Sequence, residues 1–232
     1  MGLPLENRVA LVTGASRGIG KAIALALADS GADVVAVSTT KEGAEAARDE
    51  LRARGRRAIA HACDVGQPAE VDGLVKAVLE VFGRVDVLVN NAGIVQRSPM
   101  GEMTDADFDR VLRVNLSAPF YLARRLVPDM VKRGYGRIVN VSSISSRMGT
   151  PRLTSYCASK WGLNGLTQAM AEELKGSGVV VMGVLPGSVD TDMLKGSGFD
   201  PAMTPEQVAE VVRYLCAEAP AAMTGSLVEV FG

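Results

Sequence analysis

The chain has 232 residues, with 25 basic and 26 acidic side chains and a formal net charge of −1. This balance excludes a dedicated nucleic-acid-binding protein, which would carry a basic surplus or a basic stripe. The longest apolar stretch, residues 179–185, has the length of a strand and is too short to cross a membrane. Because the N-terminus also lacks the apolar segment of a signal peptide, we expect a cytoplasmic protein.

The cysteine and histidine content excludes further kinds of site. Cys63, Cys157 and Cys216 are widely spaced and form no paired-cysteine motif, which is typical of reduced thiols. His61 is the only histidine, so we expect no zinc site built by the protein. Its position at the start of a strand also gives no support to a Ser-His-Asp hydrolase.

Apolar, β-branched segments alternate with helical patterns along the whole chain. The predicted strands are residues 9–13, 33–38, 58–62, 85–90, 137–142, 179–185 and 227–230. The predicted helices are residues 18–30, 41–54, 68–82, 104–133, 155–175 and 204–216. Strands that are apolar on both faces belong in a parallel sheet covered by helices on each side. The alternation therefore predicts one doubly wound α/β domain over residues 1–232, with a seven-stranded, mainly parallel sheet.

A glycine-rich loop follows the first predicted strand. Residues 13–20 read Thr-Gly-Ala-Ser-Arg-Gly-Ile-Gly and lead directly into a helix. Gly14 would allow a sharp turn, Gly18 would let the backbone approach a pyrophosphate, and Gly20 would let the helix pack against the strand. The helix N-terminus would offer N–H groups to the phosphates. The loop therefore predicts a dinucleotide site, whereas a glycine triplet alone also occurs in plain strand–helix turns.

The end of the second strand indicates which dinucleotide binds. A carboxylate at that position would bind the ribose hydroxyls of NAD and repel a 2′-phosphate. Here Ser38 and Thr39 occupy it, and the first acid is Glu42. Arg17 lies in the glycine loop and could pair with a 2′-phosphate, although a solvated loop charge is the alternative. We therefore expect NADP(H), with NAD less favoured.

Tyr156 and Lys160 are four residues apart on a predicted helix and share one face. A free tyrosine has a pKa near ~10 and is a poor acid–base group at neutral pH. We expect the ammonium of Lys160 to favour the phenolate and to lower this pKa. Taken alone, the pair could equally be two solvated side chains.

Two further polar residues favour a catalytic interpretation. Ser143 follows a predicted strand at the carboxyl edge of the sheet, where ligands bind in open α/β folds. Its hydroxyl could bind a substrate oxygen, although neighbouring serines leave this choice open on local grounds. Asn115 lies four residues before Pro119 in the predicted helix 104–133. Since proline has no N–H, we expect a kink there, which could hold a relay water near Lys160.

Together these motifs resemble the short-chain dehydrogenase/reductase family, particularly its 3-oxoacyl-(acyl carrier protein) reductase-like members. The matching segments are residues 13–20, 64–65, 90–93, 115, 143, 156–160 and 186–191. The resemblance covers nearly the whole chain and implies a Rossmann-type fold. It also implies that Asn115, Ser143, Tyr156 and Lys160 form a catalytic tetrad. In the family the serine lies thirteen residues before the tyrosine, which selects Ser143 among its neighbours.

The resemblance also implies the cofactor site. Asp64 and Val65 would contact adenine, Asn91 the adenosine ribose, and Val189 and Thr191 the nicotinamide carboxamide. The whole implied set is Gly14, Ser16, Arg17, Gly18, Ile19, Gly20, Ser38, Thr39, Asp64, Val65, Asn91, Ala92, Gly93, Tyr156, Lys160, Pro186, Gly187, Val189 and Thr191. No metal is implied.

The chain departs from the family pattern at two places. Only residues 194–203 separate the Pro-Gly segment from the last helix, so the lid over the substrate would be short. A more open site favours a bulky or carrier-borne substrate. Only two residues follow the last predicted strand, so the sequence leaves open whether the protein forms a homodimer or a homotetramer. The predicted substrate-lining residues are mostly apolar: Ile94, Gln96, Met148, Pro151, Leu153 and Met193.

The leading hypothesis is an NADPH-dependent reductase of a carbonyl substrate, such as a 3-oxoacyl thioester or a related ketone. Tyr156 would supply the proton, Ser143 would polarise the oxygen and Lys160 would tune the tyrosine. An NAD-dependent alcohol dehydrogenase is the alternative within enzymes. A cofactor-binding regulatory protein without turnover is the alternative from another class.

Overall fold

The computed structural model describes residues 2–232 and contains one seven-stranded parallel sheet. The strands are β1 Val9–Thr13, β2 Asp33–Ser38, β3 Ala58–Ala62, β4 Val87–Asn90, β5 Gly136–Val141, β6 Val179–Pro186 and β7 Leu227–Val230. Their spatial order is β3-β2-β1-β4-β5-β6-β7. The doubly wound α/β prediction is confirmed, and every strand pair in the described chain is parallel.

Seven α-helices connect the strands. They are α1 Gly18–Asp29, α2 Lys41–Ala53, α3 Pro68–Phe82, α4 Asp105–Leu112, α5 Ala118–Arg133, α6 Thr154–Glu173 and α7 Pro205–Ala217. Two separate apolar cores lie on the two faces of the sheet. Alternate residues of β1 enter different cores, with Val12 in one and Leu11 in the other. This is why the strands are apolar throughout instead of alternating with polar residues.

The strand order creates the crevice in which a ligand can bind. β1 lies between β2 and β4, so the chain winds outward in one direction from β1 to β3 and in the other from β4 to β7. The loops after β1 and β4 therefore leave the carboxyl edge of the sheet in opposite directions. Ligands of open α/β sheets bind at this switch point.

The predicted helix 104–133 is two helices joined by a π-helical turn. The turn spans Arg113–Ser117 and is centred on Asn115, and the N–H of Ala118 donates to the carbonyl of Arg113. Pro119 explains this geometry, because it withholds the N–H that the carbonyl of Asn115 would accept in an α-helix. The predicted kink is therefore confirmed, and it takes the form of a π turn.

The predicted strand 85–90 begins two residues late, at Val87. The carboxylate of Asp86 is fully buried and lies 3.0 Å from Arg84, 2.6 Å from Arg133 and 3.5 Å from Arg8. It also accepts a hydrogen bond from the backbone N–H of Val9. A buried carboxylate must be paired, and this cluster ties the amino ends of β1 and β4 to the end of α5.

Within residues 2–232, no helix is long and apolar enough to cross a membrane. The same part of the chain holds no cluster of histidine, cysteine and acidic residues suited to a metal ion. The three cysteines are free thiols. Burial raises the pKa of Cys63 and of Cys216 to about 12. Neither thiol therefore ionises at neutral pH.

Candidate active site

In the glycine loop between β1 and α1, the backbone at Gly20 packs closely against the backbone at Gly14. Gly14 and Gly18 adopt φ angles of 67° and 54°, a left-handed conformation that side chains disfavour. At Gly20, an added Cβ would lie 2.1 Å from the carbonyl oxygen of Gly14 and 2.3 Å from Nδ2 of Asn91. No other residue fits at position 20 without moving the loop. This packing leaves the N-terminus of α1 open at the crevice, where a pyrophosphate would bind.

The loop after β4 is fastened to the end of β1. The N–H groups of Asn91 and Ala92 both donate to Oγ1 of Thr13, each over 3.0 Å. Nδ2 of Asn91 donates to the carbonyl of Thr13 over 2.9 Å. Asn91, predicted to contact the adenosine ribose, therefore also holds the two loops of the crevice together. Thr13 was predicted only as part of the loop, and its hydroxyl is the acceptor that sets this spacing.

The end of β2 carries hydroxyl groups and no carboxylate, as the sequence indicates. Ser38 is buried, Thr39 is exposed, and the hydroxyl of Thr40 caps α2 by accepting from the N–H of Gly43. Arg17 is mostly exposed and lies 3.8 Å from the carboxylate of Asp192, a weak and solvent-screened contact. A 2′-phosphate between Arg17 and the hydroxyls would therefore meet a cation and polar groups.

Asp64 and Val65, predicted to contact adenine, follow β3 at the edge of the crevice. Oδ2 of Asp64 lies 2.8 Å from Arg110, and Oδ1 accepts from the N–H of Gly66 over 3.0 Å. Val65 is buried in the adjacent core. Ile19, at the start of α1, is partly buried and packs its side chain against the other core.

Asn115 lies in the π turn and is 1% exposed. Its side chain accepts from the N–H of Ile94 and donates to the carbonyl of Ile94, both over 2.9 Å. It also donates to the hydroxyl of Ser159 over 3.1 Å. Asn115 thus fixes the loop after β4 against α6. An added Cβ at Gly93 would lie 3.4 Å from Oδ1 of Asn115 and 3.7 Å from Nζ of Lys160, so both groups border this glycine.

Ser143 follows β5 and is held in place by hydrogen bonds with Ser145 and Ser146. Its hydroxyl accepts from the N–H of Ser145 over 3.1 Å, and its carbonyl accepts a hydrogen bond from the hydroxyl of Ser146. Nδ2 of Asn164, on α6, donates to Oγ of Ser146 over 2.8 Å. The sequence analysis missed Asn164. It is buried and lies four residues after Lys160, so its place on the catalytic face of α6 could have been read from that spacing.

Tyr156 and Lys160 lie together on α6 at the carboxyl edge. Nζ of Lys160 is 5.7 Å from the centre of the Tyr156 ring and donates to the carbonyl of Val141 over 2.8 Å. Burial lowers the pKa of Lys160 to about 8. A lysine with this pKa is still mostly protonated at neutral pH.

The expectation that Lys160 lowers the pKa of Tyr156 does not hold in the structure. Burial of the phenol raises its pKa above the ordinary tyrosine value. A hydrogen bond with Ser143 and the nearby charge of Arg97 act in the opposite direction without overcoming burial. The ammonium of Lys160 is directed to the carbonyl of Val141 instead. The phenol of Tyr156 is therefore protonated at neutral pH and available as an acid.

The segment after β6 completes the crevice. Pro186 ends β6, and the N–H of Gly187 donates to the carbonyl of Val230 over 2.8 Å. Val189 forms a parallel bridge with Met203, and the hydroxyl of Thr191 donates to the carbonyl of Val189 over 3.3 Å. Residues 194–203 form turns and contain no helix. The short lid expected from the sequence is present as this irregular segment.

The residues of the predicted site thus converge at the carboxyl edge of the sheet, on the loops after β1 to β6. The chain matches the family model described as short chain dehydrogenase over residues 8–201. The chain belongs to the short chain dehydrogenase family. The doubly wound sheet and the glycine loop described above agree with this membership.

Relatives and solved structures agree over nearly the full length. The 3-oxoacyl-[acyl-carrier-protein] reductase of Vibrio cholerae is 37% identical, over 98% of this chain and 97% of the relative. The Synechocystis protein of the same name is 40% identical, with coverage of 98% and 97%.

Two crystal structures share the fold closely. A short-chain type dehydrogenase/reductase from Mycobacterium marinum has a TM-score of 0.93 and 32% identity, over 99% of this chain and 96% of the other. A metagenomic short-chain oxidoreductase in complex with NADP has a TM-score of 0.88 and 39% identity, over 98% of each chain.

Proposed function

We propose that the protein is an NADPH-dependent reductase that converts a carbonyl group to an alcohol. The observation that carries this proposal is the half-buried phenol of Tyr156 beside Ser143 and Lys160, at the same sheet edge as the glycine loop. A protonated phenol at this position can give its proton to the carbonyl oxygen as that oxygen gains negative charge. The reductases named among the relatives and the NADP-bound structural neighbour support the same assignment.

The residues at the crevice fit a dinucleotide with a 2′-phosphate. Gly20 lets the start of α1 pack directly against Gly14 and Asn91, and this packing sets the helix N-terminus at the crevice, where a pyrophosphate would bind. Arg17, Ser38 and Thr39 would surround the 2′-phosphate, with no carboxylate at the end of β2 to repel it. The other proposed cofactor contacts are those of Ser16, Ile19, Asp64, Val65, Asn91, Ala92, Gly93, Pro186, Gly187, Val189 and Thr191. When bound, NADPH supplies a hydride to the carbonyl carbon.

The chain itself supplies the proton and the orientation of the substrate. In this proposal Ser143 hydrogen-bonds the carbonyl oxygen, and Tyr156 donates the phenolic proton to that oxygen as negative charge develops. Lys160 is held near the phenol by the carbonyl of Val141, and its ammonium would bind a ribose hydroxyl of the cofactor beside Tyr156. Asn115 holds the loop after β4 against α6, so that Gly93 stays open beside Lys160.

Two alternatives remain distinct from this proposal. An NAD-dependent alcohol dehydrogenase would require a carboxylate at the end of β2 for the ribose hydroxyls, and none is present there. A regulatory protein without turnover would have no need of Tyr156, Lys160 and Ser143 at one edge. The regulatory alternative gives no reason for a phenol beside Ser143 and Lys160. The dehydrogenase alternative would use the same three residues, so the absence of a carboxylate at the end of β2 is what separates it from the reductase.

The direct test is NADPH oxidation, followed by absorbance, with several carbonyl compounds side by side. We would use acetoacetyl thioesters, quinones and simple ketones, each with NADPH and with NADH. Turnover of one class with a preference for NADPH is the expected result. Tight NADPH binding without any turnover would favour the regulatory alternative, and a preference for NADH would favour the dehydrogenase.

Replacement of Arg17 by Ala should weaken NADPH binding about tenfold or more while leaving NADH binding within about twofold. The reason is that a charge-assisted hydrogen bond to a phosphate contributes about 1.5–3 kcal/mol, whereas NADH has no phosphate at this position. Fluorescence titration with each cofactor provides the measurement. Arg147→Ala is the control, because Arg147 pairs with Glu229 away from the glycine loop. Equal weakening of both cofactors would contradict the assigned role of Arg17.

The raised pKa of Tyr156 predicts different pH dependences for the two directions. Below this pKa the phenol is protonated, so reduction should be nearly constant between about pH 6 and pH 7.5. Alcohol oxidation needs the phenolate and should rise about tenfold per pH unit over the same range. The range stays below the pKa of about 8 of Lys160, so that residue remains mostly protonated. Initial rates in both directions test this, and a reductive rate that falls tenfold per unit would contradict it.

We further propose that the protein is cytoplasmic and forms a homodimer or homotetramer. The three free thiols fit a reducing compartment. Phe120 on α5 and Trp161 on α6 are exposed at 44% and 53%, and large exposed aromatic side chains favour a protein contact. A small-molecule carbonyl, free or carrier-bound, is the proposed substrate, and neither nucleic acid nor membrane is a proposed partner.

A further inference from the structure

The loop between β4 and α4 places Arg97 among the three loops that border the substrate side of the crevice. Nη2 of Arg97 donates to the carbonyl of Met193, in the segment after β6, over 2.8 Å. The next residue, Ser98, donates its N–H to the carbonyl of Arg152 over 3.0 Å. Arg152 belongs to the loop that leads into α6 and Tyr156. Arg97 is therefore held at the point where these loops meet.

The guanidinium of Arg97 lies near the proposed acid. Its positive charge acts to lower the pKa of the Tyr156 phenol, but this effect is small and burial outweighs it. Arg147, on the same side, pairs with Glu229 instead. Arg97 therefore contributes an electrostatic field to the place where the substrate oxygen would lie.

Arg97 has no acidic partner in residues 2–232. Eighteen ion pairs occur in this part of the chain, and none includes Arg97. A guanidinium carries five N–H groups, and the bond to Met193 uses one of its nitrogens. The other donors remain for another group.

The loops next to Arg97 carry exposed apolar side chains. Met193 and Met148 are exposed at 39% and 55% on the neighbouring loops, although both are apolar. Arg152, on the neighbouring loop, is likewise in none of these ion pairs. Apolar side chains beside unpaired guanidinium groups suit a ligand that is apolar along its length and anionic at one end. Guanidinium matches carboxylate and phosphate oxygens because its planar fork can donate two parallel hydrogen bonds.

We propose that Arg97 binds an anionic group of the carbonyl substrate, a carboxylate or a phosphate, and so determines substrate specificity. The proposal rests on the proposed carbonyl reduction at Tyr156. It restricts the substrates to ketones that carry a negative charge within reach of the loop after β4. The charge could come from the carboxylate of a free 3-oxo acid or from the phosphates of a coenzyme A thioester.

Four substrates with the same 3-oxobutanoyl unit separate these sources. Acetoacetate carries a carboxylate and acetoacetyl-coenzyme A carries phosphates, whereas ethyl acetoacetate and the acetoacetyl thioester of N-acetylcysteamine are neutral. In Arg97→Gln, KM for the preferred anionic substrate should rise about 10- to 100-fold, while KM for the neutral ones should change less than about twofold. Arg97→Lys should restore part of the loss, because it keeps the charge and loses the fork.

The control variant is Arg147→Gln, which removes a cation from the same edge of the sheet but one that is already paired. Its kinetics should match those of the wild type with all four substrates. An equal loss for neutral and anionic substrates in Arg97→Gln would overturn the proposal, since it would indicate that Arg97 only holds the segment at Met193. Unchanged kinetics with the anionic substrates would also overturn it.

A binding measurement separates this proposal from the proposed reaction. Calorimetry on the NADP complex compares 3-hydroxybutyrate and coenzyme A with methyl 3-hydroxybutyrate, and it needs no turnover. Wild-type binding of either anion that is lost in Arg97→Gln supports the anion site even if no substrate is reduced. Equal binding of the anionic and neutral ligands by the wild type overturns the anion site even if reduction is observed.

Discussion

Replacement of Tyr156 by Phe should reduce the rate of carbonyl reduction by about 10²- to 10⁴-fold, the usual contribution of a positioned acid. The Tyr156 side chain is half-buried on α6, so Phe should occupy the same space and leave the fold unchanged. Only the phenolic proton and its hydrogen bond with Ser143 are lost. NADPH binding should therefore stay within about twofold of the wild type, because the pyrophosphate contacts lie at the glycine loop.

Steady-state kinetics with the best carbonyl substrate, together with fluorescence titration of NADPH, test this prediction. Tyr214→Phe is the matched control. Its hydroxyl lies on α7 against the sulfur of Met223, away from the carboxyl edge, so this variant should retain full activity. Unchanged turnover in Tyr156→Phe would exclude Tyr156 as the acid. Loss of NADPH binding in the same variant would indicate a structural role for the hydroxyl instead.

Replacement of Gly20 by Ala should weaken NADPH binding by about 10- to 100-fold and lower the free energy of unfolding by about 1–3 kcal/mol. The added Cβ would lie 2.1 Å from the carbonyl oxygen of Gly14, which is backbone and cannot rotate away. The glycine loop must therefore move off β1 and Asn91. This movement displaces the N–H groups at the start of α1 that would bind the pyrophosphate.

Gly73→Ala is the matched control for this prediction. Gly73 lies within α3, and an added Cβ would have no heavy atom within 4 Å. In an open helical position, alanine should stabilise the fold by about 0.5–1 kcal/mol and leave NADPH binding unchanged. Urea unfolding and cofactor titration of both variants provide the measurements. Wild-type affinity and stability in Gly20→Ala would show that the loop tolerates the clash and would remove Gly20 from the proposed phosphate site.

The prediction from sequence and the structure differ most clearly at the π turn, Arg113–Ser117. Periodicity alone predicts one helix over residues 104–133, because the apolar pattern continues through the bend. Pro119 indicates that a hydrogen bond is lost four residues earlier, and this is where the π turn occurs. A proline identifies which donor is missing, but it does not determine how the chain compensates. That choice depends on the contacts of Asn115 with Ile94 and Ser159, which come from two other elements.

The electrostatics of Tyr156 and Lys160 show the same limit. Their spacing of four residues correctly places both on one face of α6. The sign of the pKa shift of Tyr156 was nevertheless wrong, because spacing carries no information about depth of burial or about the carbonyl of Val141. The structure shows both, and burial has the largest effect on the pKa of Tyr156. With either sign the phenol is protonated at neutral pH, so the proposed role of Tyr156 as the acid depends on its position beside Ser143 and not on the shift.

Local patterns in the sequence therefore determine the alternation of strands and helices, the glycine turn and the residue types at the carboxyl edge. These depend on side-chain size, polarity and backbone freedom within a few residues, which are visible along the chain. Tertiary structure alone decides that Asn164 supports Ser143 through Ser146, that Arg97 meets Met193 beside Tyr156, and how strongly Tyr156 is buried. These contacts join residues from separate loops or from a loop and a helix, and their energies depend on distance and burial, which no stretch of sequence specifies.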